Sequence, residues 1–225
     1  MAAPRRQPVA LWEDLGGFVP AGYVALRPAN LAVYPDGLLV ADAERYARLS
    51  RNALRGFTSF AEWVLCNPAN GIRRPGAPVI ADVPTTRFTV RRRGRTWAIS
   101  ADALEATRAD NAYPRPLYAL LDRFAAQREW TLRAGRAFRP NAVRLVVVRV
   151  DEPPAPPVPA WPAGVPVPTF PPDTFWRTLD LYGAAARAAV RGIAHHEPWQ
   201  FTTYRTGPGS FLSAAWRRLL PHEQR

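Results

Sequence analysis

From Gly22 to Asp42, short apolar runs flank Tyr34-Pro35-Asp36-Gly37, where Asp-Gly supplies the positive φ that a hairpin turn requires. The pattern predicts strands near 23–27, 31–34 and 38–42. The period then changes. Leu54, Phe57, Phe60, Ala61, Val64 and Leu65 recur at helical spacing, so a helix is predicted over about 51–65 with Ser50 as its N-cap. Asn67-Pro68 and the stretch 70–78 break it through proline and glycine. Phe88 and Val90 alternate with polar neighbours, Arg93-Gly94 turns, and Trp97 and Ile99 return on the same face of a second hairpin.

Beyond Ser100 a short helix is expected, then one over about 115–128 with Leu117, Leu120, Leu121 and Phe124 as its apolar stripe. Pro114 and Pro116 suit its first turn. Residues 142–150 carry nearly continuous β-branched content and read as a central strand covered on both faces. Ten of the twenty residues from Pro153 to Pro172 are proline, which makes that segment an extended strap. Next come a strand at 175–179, Asp180 as an N-cap, and a helix burying Tyr182, Ala186, Ala189, Val190 and Ile193. A closing hairpin pairs 199–205 with 211–216.

This order predicts an α+β fold of antiparallel hairpins and one central buried strand packed against about three helices, with a proline-rich strap. The expected division is an α+β core at 1–150, the strap at 151–174, and a strand-helix-hairpin unit at 175–225 packing on the same core.

Composition narrows the picture. With 225 residues and 48% hydrophobic content, the chain can build a substantial core. It lacks an apolar run of about 18 residues, and Met1-Ala2-Ala3-Pro4-Arg5-Arg6 leads into Trp12-Glu13-Asp14 without a signal-like apolar region. A soluble protein is expected, with cytoplasm as the default compartment. One cysteine, Cys66, permits no internal disulfide, and its place after Trp63, Val64 and Leu65 reads as an inert core thiol.

The formal net charge of +12 points to anionic partners. All 30 basic residues are arginine, however, which GC-rich coding bias also produces, and the charge is shared between the two halves.

Catalytic signals are sparse. His195-His196-Glu197 offers zinc-binding and proton-moving groups, but adjacent helical residues diverge by about 100°, so a solvated helix end is the expectation. Gly207-Pro208-Gly209-Ser210 reads as a hairpin loop and not as a nucleophile elbow. Neither Asp42/Glu44 nor Asp151/Glu152 stands out as a paired acid, and phosphate-binding glycine patterns are missing from the sequence. No catalytic residue, metal ligand or cofactor is assigned.

Two binding candidates remain. Arg91, Arg92, Arg93 and Arg95 surround one turn beside Trp97, a combination that clamps phosphates and stacks a base. Arg128, Arg133, Arg136, Arg139, Arg144 and Arg149 form a second basic run. Trp161, inside the strap, is a candidate anchor for a protein partner, while most of the eight tryptophans read as core or strap anchors.

Several landmarks resemble a group of uncharacterised actinobacterial proteins. They are Gly17-Phe18-Val19-Pro20-Ala21-Gly22-Tyr23, Val33-Tyr34-Pro35-Asp36-Gly37 and Asp82-Val83-Pro84-Thr85-Thr86, then Phe138-Arg139-Pro140-Asn141-Ala142-Val143 and Trp216-Arg217-Arg218-Leu219-Leu220-Pro221. The resemblance extends over most of the chain and implies secretion or lipid anchorage, with no established activity and therefore no catalytic residues. The chain departs from it in having no visible export signal and in carrying Arg218 where the pattern has proline. The functional expectation is a non-enzymatic binding or protein-interaction module. The alternatives are a hydrolase whose site assembles only in the fold, or an anion or nucleic-acid binder working through the arginine hairpin.

Overall fold

The computed structural model describes residues 6–152, 155, 157–195 and 200–224. In chain order they form β1 (Ala10–Leu15), α1 (Tyr23–Leu26), β2 (Leu31–Val33), β3 (Leu38–Ala41), β4 (Arg45–Arg48) and α2 (Arg51–Leu65). A 3₁₀ turn at Pro68–Gly71 follows, then β5 (Thr85–Arg92), β6 (Arg95–Asp102), α3 (Arg115–Ala134) and β7 (Arg136–Ala137). The chain continues with β8 (Ala142–Val150), β9 (Trp176–Tyr182), α4 (Gly183–Gly192), β10 (Thr202–Gly207) and β11 (Ser210–Arg218). Among the described residues, four helices accompany one seven-stranded and one four-stranded sheet, and every strand pairing is antiparallel, so the fold is α+β.

Contacts group the chain into two units. One joins Met1–Phe18, Ala29–Phe138 and Leu220–Arg225, and the other joins Val19–Pro28 and Arg139–Leu219. The division differs from the expected 1–150 core because β8 takes its ladder partners from β9 and β11, both later in the chain.

In the first unit the sheet order is β6-β5-β1-β2-β3-β4-β7. Phe57, Ala61, Val64 and Leu65 of α2 and Leu117, Leu120, Leu121 and Phe124 of α3 meet Leu31, Val33, Leu39, Phe88 and Val90 from the strands in one core. Helix α2 begins where the sequence places it, with the Ser50 hydroxyl accepting from the Ala53 amide at 3.3 Å. Helix α3 runs to Ala134, a turn and a half beyond the expected end, because the buried Thr131 returns its hydroxyl to the Gln127 carbonyl and keeps the last turn apolar inside.

The predicted strand at 23–27 is instead the one-turn helix α1. Gly22, at φ +77°, turns the chain into it, and the Arg27 amide closes on the Tyr23 carbonyl. A four-residue apolar run satisfies either element, and the flanking turn geometry decides. The helix expected beyond Ser100 is a series of turns, in which Ala103 and Asn111 take φ of 51° and 49°. Strands β1 and β4 went unpredicted because charged residues interrupt their alternation. Asp14 of β1 accepts from Asn30 at 2.8 Å and from Thr86 at 3.1 Å, which satisfies a carboxylate inside a sheet. Cys66 is exposed, not a core thiol: it caps α2 on the flank of Trp63, and its Sγ donates to the Trp63 carbonyl.

In the second unit the order is β10-β11-β8-β9. β8 is central and covered on both faces, as its composition predicts. Val143, Leu145 and Val147 pack with Ala186, Ala189 and Ile193 of the α4 region and with Val165 of the strap, while Val146 packs with Leu26 of α1. The strap lies along the edge of β10. Trp161 donates its amide to the Arg205 carbonyl, and the Arg205 amide bonds the Pro159 carbonyl. This backbone pairing covers an edge strand that would otherwise stand open.

Candidate functional site

The most chemically distinctive concavity among the described residues is built on α4. Its sequence, Gly-Ala-Ala-Ala-Arg-Ala-Ala-Val-Arg-Gly, favours helix and presents small side chains that let the backbone approach the sheet. The sequence expectation of Asp180 as its N-cap is not met: Tyr182 holds that position, and Asp180 sits within β9 with both carboxylate oxygens taken by Arg144 at 2.8 and 3.1 Å. With the register set this way, Ala186 and Ala189 face the core, while Val190 and Tyr182, expected inside, are 42% and 37% exposed. The outward stripe carries Arg187 and Arg191 four residues apart.

Two further segments complete the site. Arg139, Pro140 and Asn141 lead into β8, anchored where the Gly183 amide donates to the Asn141 carbonyl at 3.0 Å. Arg218 ends β11 on the same face as the buried Leu212, Ala214 and Trp216, with its guanidinium 5.4 Å above the Trp216 ring. Together these residues border an open cleft of about 410 Å³ lined by Arg139, Pro140, Asn141, Ala186, Arg187, Val190, Arg191 and Arg218. Four of the eight lining residues are arginine and none is acidic.

Within this lining the positive charge has no acidic counterpart. Two arginines elsewhere meet carboxylates through their side-on forks: Arg144 with Asp180 in the second unit, and Arg128 with Asp42 at 2.6 and 2.9 Å in the first. Asp151 is paired with Arg149. The guanidinium groups of Arg139, Arg187 and Arg191 have no carboxylate or hydrogen-bond acceptor among the described residues. Like charges at i and i+4 destabilise a helix by a few tenths of a kcal/mol, so the Arg187 and Arg191 arrangement carries a small cost that a bound anion would reverse.

The arginine hairpin is arranged differently from its sequence expectation. Arg91 donates to the Gln7 side-chain oxygen, while Arg92, on the opposite face of the strand, is ion-paired with Glu62 of α2. Arg93 occupies the turn at φ 51°, and Arg95 is exposed across from Arg92. Trp97 lies opposite Val90 and packs against the first unit's core, so its ring is already engaged. The basic run divides as well: Arg128, Arg133 and Arg136 belong to the first unit, and Arg139, Arg144 and Arg149 to the second. Trp161 donates its indole N–H to the Val165 carbonyl at 2.9 Å and meets Tyr204 edge-on at 5.9 Å, which ties the strap to its own unit.

His195 is exposed and stacks on Trp216 at 4.5 Å, whereas His196, Glu197 and Trp199 lie outside the described residues. Among the described residues, no group of three or more His, Cys, Asp or Glu side chains could hold a metal ion. None of the described helices is long and apolar enough to cross a membrane. In the first unit, Tyr34 is fully buried and shares a 2.9 Å hydrogen bond with His222 Nδ1. Burial pushes its phenol above the ordinary tyrosine range against the opposing effect of that bond.

The sequence reading missed Arg187, Arg191 and Arg218. The legible signal was the Arg187/Arg191 spacing on an alanine-rich helix with no acid three or four residues away. Three of the remaining lining residues, Arg139, Pro140 and Asn141, fall in one landmark stretch of the resemblance, and Arg218 falls in another. No family model, curated protein or solved structure matches the chain.

Proposed function

We propose that the protein is a non-enzymatic binding protein whose ligand is a small anion held in the arginine cleft of the second unit. One observation carries this reading: Arg139, Arg187, Arg191 and Arg218 line a single concavity of about 410 Å³ that contains no acidic side chain. That volume falls within the range of small-molecule sites. The lining also lacks histidine, carboxylate, hydroxyl and thiol groups, which supports binding over hydrolysis. A concave site favours a compact anion over the extended backbone of a nucleic acid, and the hairpin that would grip such a backbone has Arg92 neutralised by Glu62.

Calorimetric titration of the intact protein at low ionic strength with sulfate, citrate and pyrophosphate tests the reading. A saturable one-site isotherm is expected for at least one of them, weakening as salt screens the arginines. Absence of saturable binding by all three would refute it. Tight, salt-sensitive binding of single-stranded nucleic acid that survives Arg187→Gln/Arg191→Gln would favour the hairpin instead.

A further inference from the structure

We infer that the anion taken by this cleft carries a pyrophosphoryl group, either free pyrophosphate or the diphosphate of an organic ester. The inference rests on the anion-binding reading and narrows its ligand class.

Charge and geometry both point this way. A single carboxylate has one unit of charge and two oxygens in a plane, and the internal pairs of this protein show what it satisfies: Asp42 takes one arginine fork from Arg128, and Asp180 takes one from Arg144. The cleft gathers arginines from three separate segments, the entry to β8, the outer face of α4 and the end of β11. Arginines supplied by three separate segments suit an acceptor whose oxygens point in several directions, as the tetrahedral oxygens of a phosphoryl group do. An orthophosphate carries about two charges near neutral pH and leaves the cleft in excess of positive charge. Two linked phosphoryl groups carry more charge, come closer to matching Arg139, Arg187 and Arg191 together, and span a wider lining. Ala186, Val190 and Pro140 supply an apolar wall beside the arginines, which suits the organic part of a diphosphate ester.

The arginines are also the right cation for the task. A planar guanidinium presents paired donors and is weakly hydrated, so it gives up little water to a phosphoryl oxygen. Arg218 is held over the Trp216 ring, which limits the rotamers lost when an anion binds.

The test is a calorimetric ranking of inorganic pyrophosphate, ADP, orthophosphate and citrate in metal-free buffer on the full chain. Pyrophosphate or ADP is expected to bind about tenfold or more tightly than orthophosphate and citrate, the gain of roughly one charge-assisted hydrogen-bonded contact. The tighter of the two assigns the source of the diphosphate. The Arg187→Gln/Arg191→Gln variant should weaken binding of the tighter probe by about 100-fold, and Arg91→Gln, in the hairpin, should leave it unchanged. Arg187 and Arg191 are both exposed, and unfolding curves identical to the parent's confirm that the variant is folded. Citrate or orthophosphate matching the tighter of pyrophosphate and ADP overturns the diphosphate assignment while leaving an anion site in place. Failure of all four probes to bind overturns both. Loss of pyrophosphate binding in Arg91→Gln, with Arg187→Gln/Arg191→Gln unaffected, overturns the location.

Discussion

Replacing Phe124 with alanine tests the packing of the first unit at its centre. The ring is fully buried, and its centroid lies 4.8 Å from Phe57, 5.1 Å from Phe88 and 6.4 Å from Trp12. It therefore joins α2, α3, β5 and β1 at one point. Buried Phe→Ala changes cost about 3–5 kcal/mol. Three aromatic neighbours, each contributing about 0.5–1.5 kcal/mol beyond area burial, place this site at the upper end, about 5 kcal/mol. With a urea m-value of about 2 kcal/mol/M, the midpoint of the first unit's transition should fall by roughly 2.5 M. Far-UV circular dichroism and tryptophan fluorescence recorded together identify that transition, since two cores need not unfold as one. Phe124→Leu should recover most of the loss. Trp63→Ala, at a side chain 61% exposed, should cost less than about 1 kcal/mol. A midpoint shift below about 0.5 M for Phe124→Ala at unchanged m would refute this packing argument.

Gly22→Ala should destabilise the second unit by about 2 kcal/mol or more, because φ is +77° and the new Cβ would sit 2.5 Å from Val146 Cγ1; thermal unfolding reads this as a lowered midpoint. Burial raises the Glu13 carboxyl above its ordinary value, with Arg87 opposing and Glu223 adding to the shift. A raised folded-state pKa means that the stability from the protonated group is present below the unfolded value and lost as pH rises through the folded one. Glu13→Gln should therefore raise the unfolding midpoint near pH 7 and have little effect near pH 3, and equal effects at both pH values would contradict the cause given. Trp161→Phe, which removes the bond to the Val165 carbonyl but keeps an aromatic ring against Tyr204, should cost about 1 kcal/mol. Trp161→Ala should cost about 3–5 kcal/mol and speed limited proteolysis of the strap, and unchanged proteolysis would argue against Trp161 as its anchor.

Local rules recovered much of the fold. The Ser50 cap and the apolar spacing of α2, the Phe88/Val90 and Trp97/Ile99 alternation, and the β-branched run of β8 each specify an element with its buried face, and the structure places them there. Elements were missed where tertiary contacts rescue an unfavourable local pattern. β1 carries Glu13 and Asp14 inside a sheet because Asn30 and Thr86 receive one of them. The unit boundary was illegible for a related reason, since β8 follows the first unit in sequence but bonds to strands that come after it.

The candidate site was harder to read than the fold. The hairpin arginines are adjacent in sequence, yet strand alternation sends neighbours to opposite faces and Glu62 takes one of them. The arginines that do converge are separated by up to 79 positions, from Arg139 to Arg218, and meet only when α4 crosses the sheet. Sequence could expose one pair of them, at helical spacing on α4, and nothing in it joined that pair to the other two.

An anion site in the second unit requires that an added anion contact Arg139, Arg187, Arg191 and Arg218 and not the hairpin. The arginine side-chain Nε–Hε NMR spectrum, with signals assigned through single Arg→Gln variants at 139, 187, 191 and 218, reports this directly in solution. Pyrophosphate should shift those four resonances in one saturable transition while Arg91, Arg93 and Arg95 stay in place. Shifts confined to the hairpin arginines, or small unsaturable shifts spread over the 30 arginines, would contradict a built anion site in the second unit.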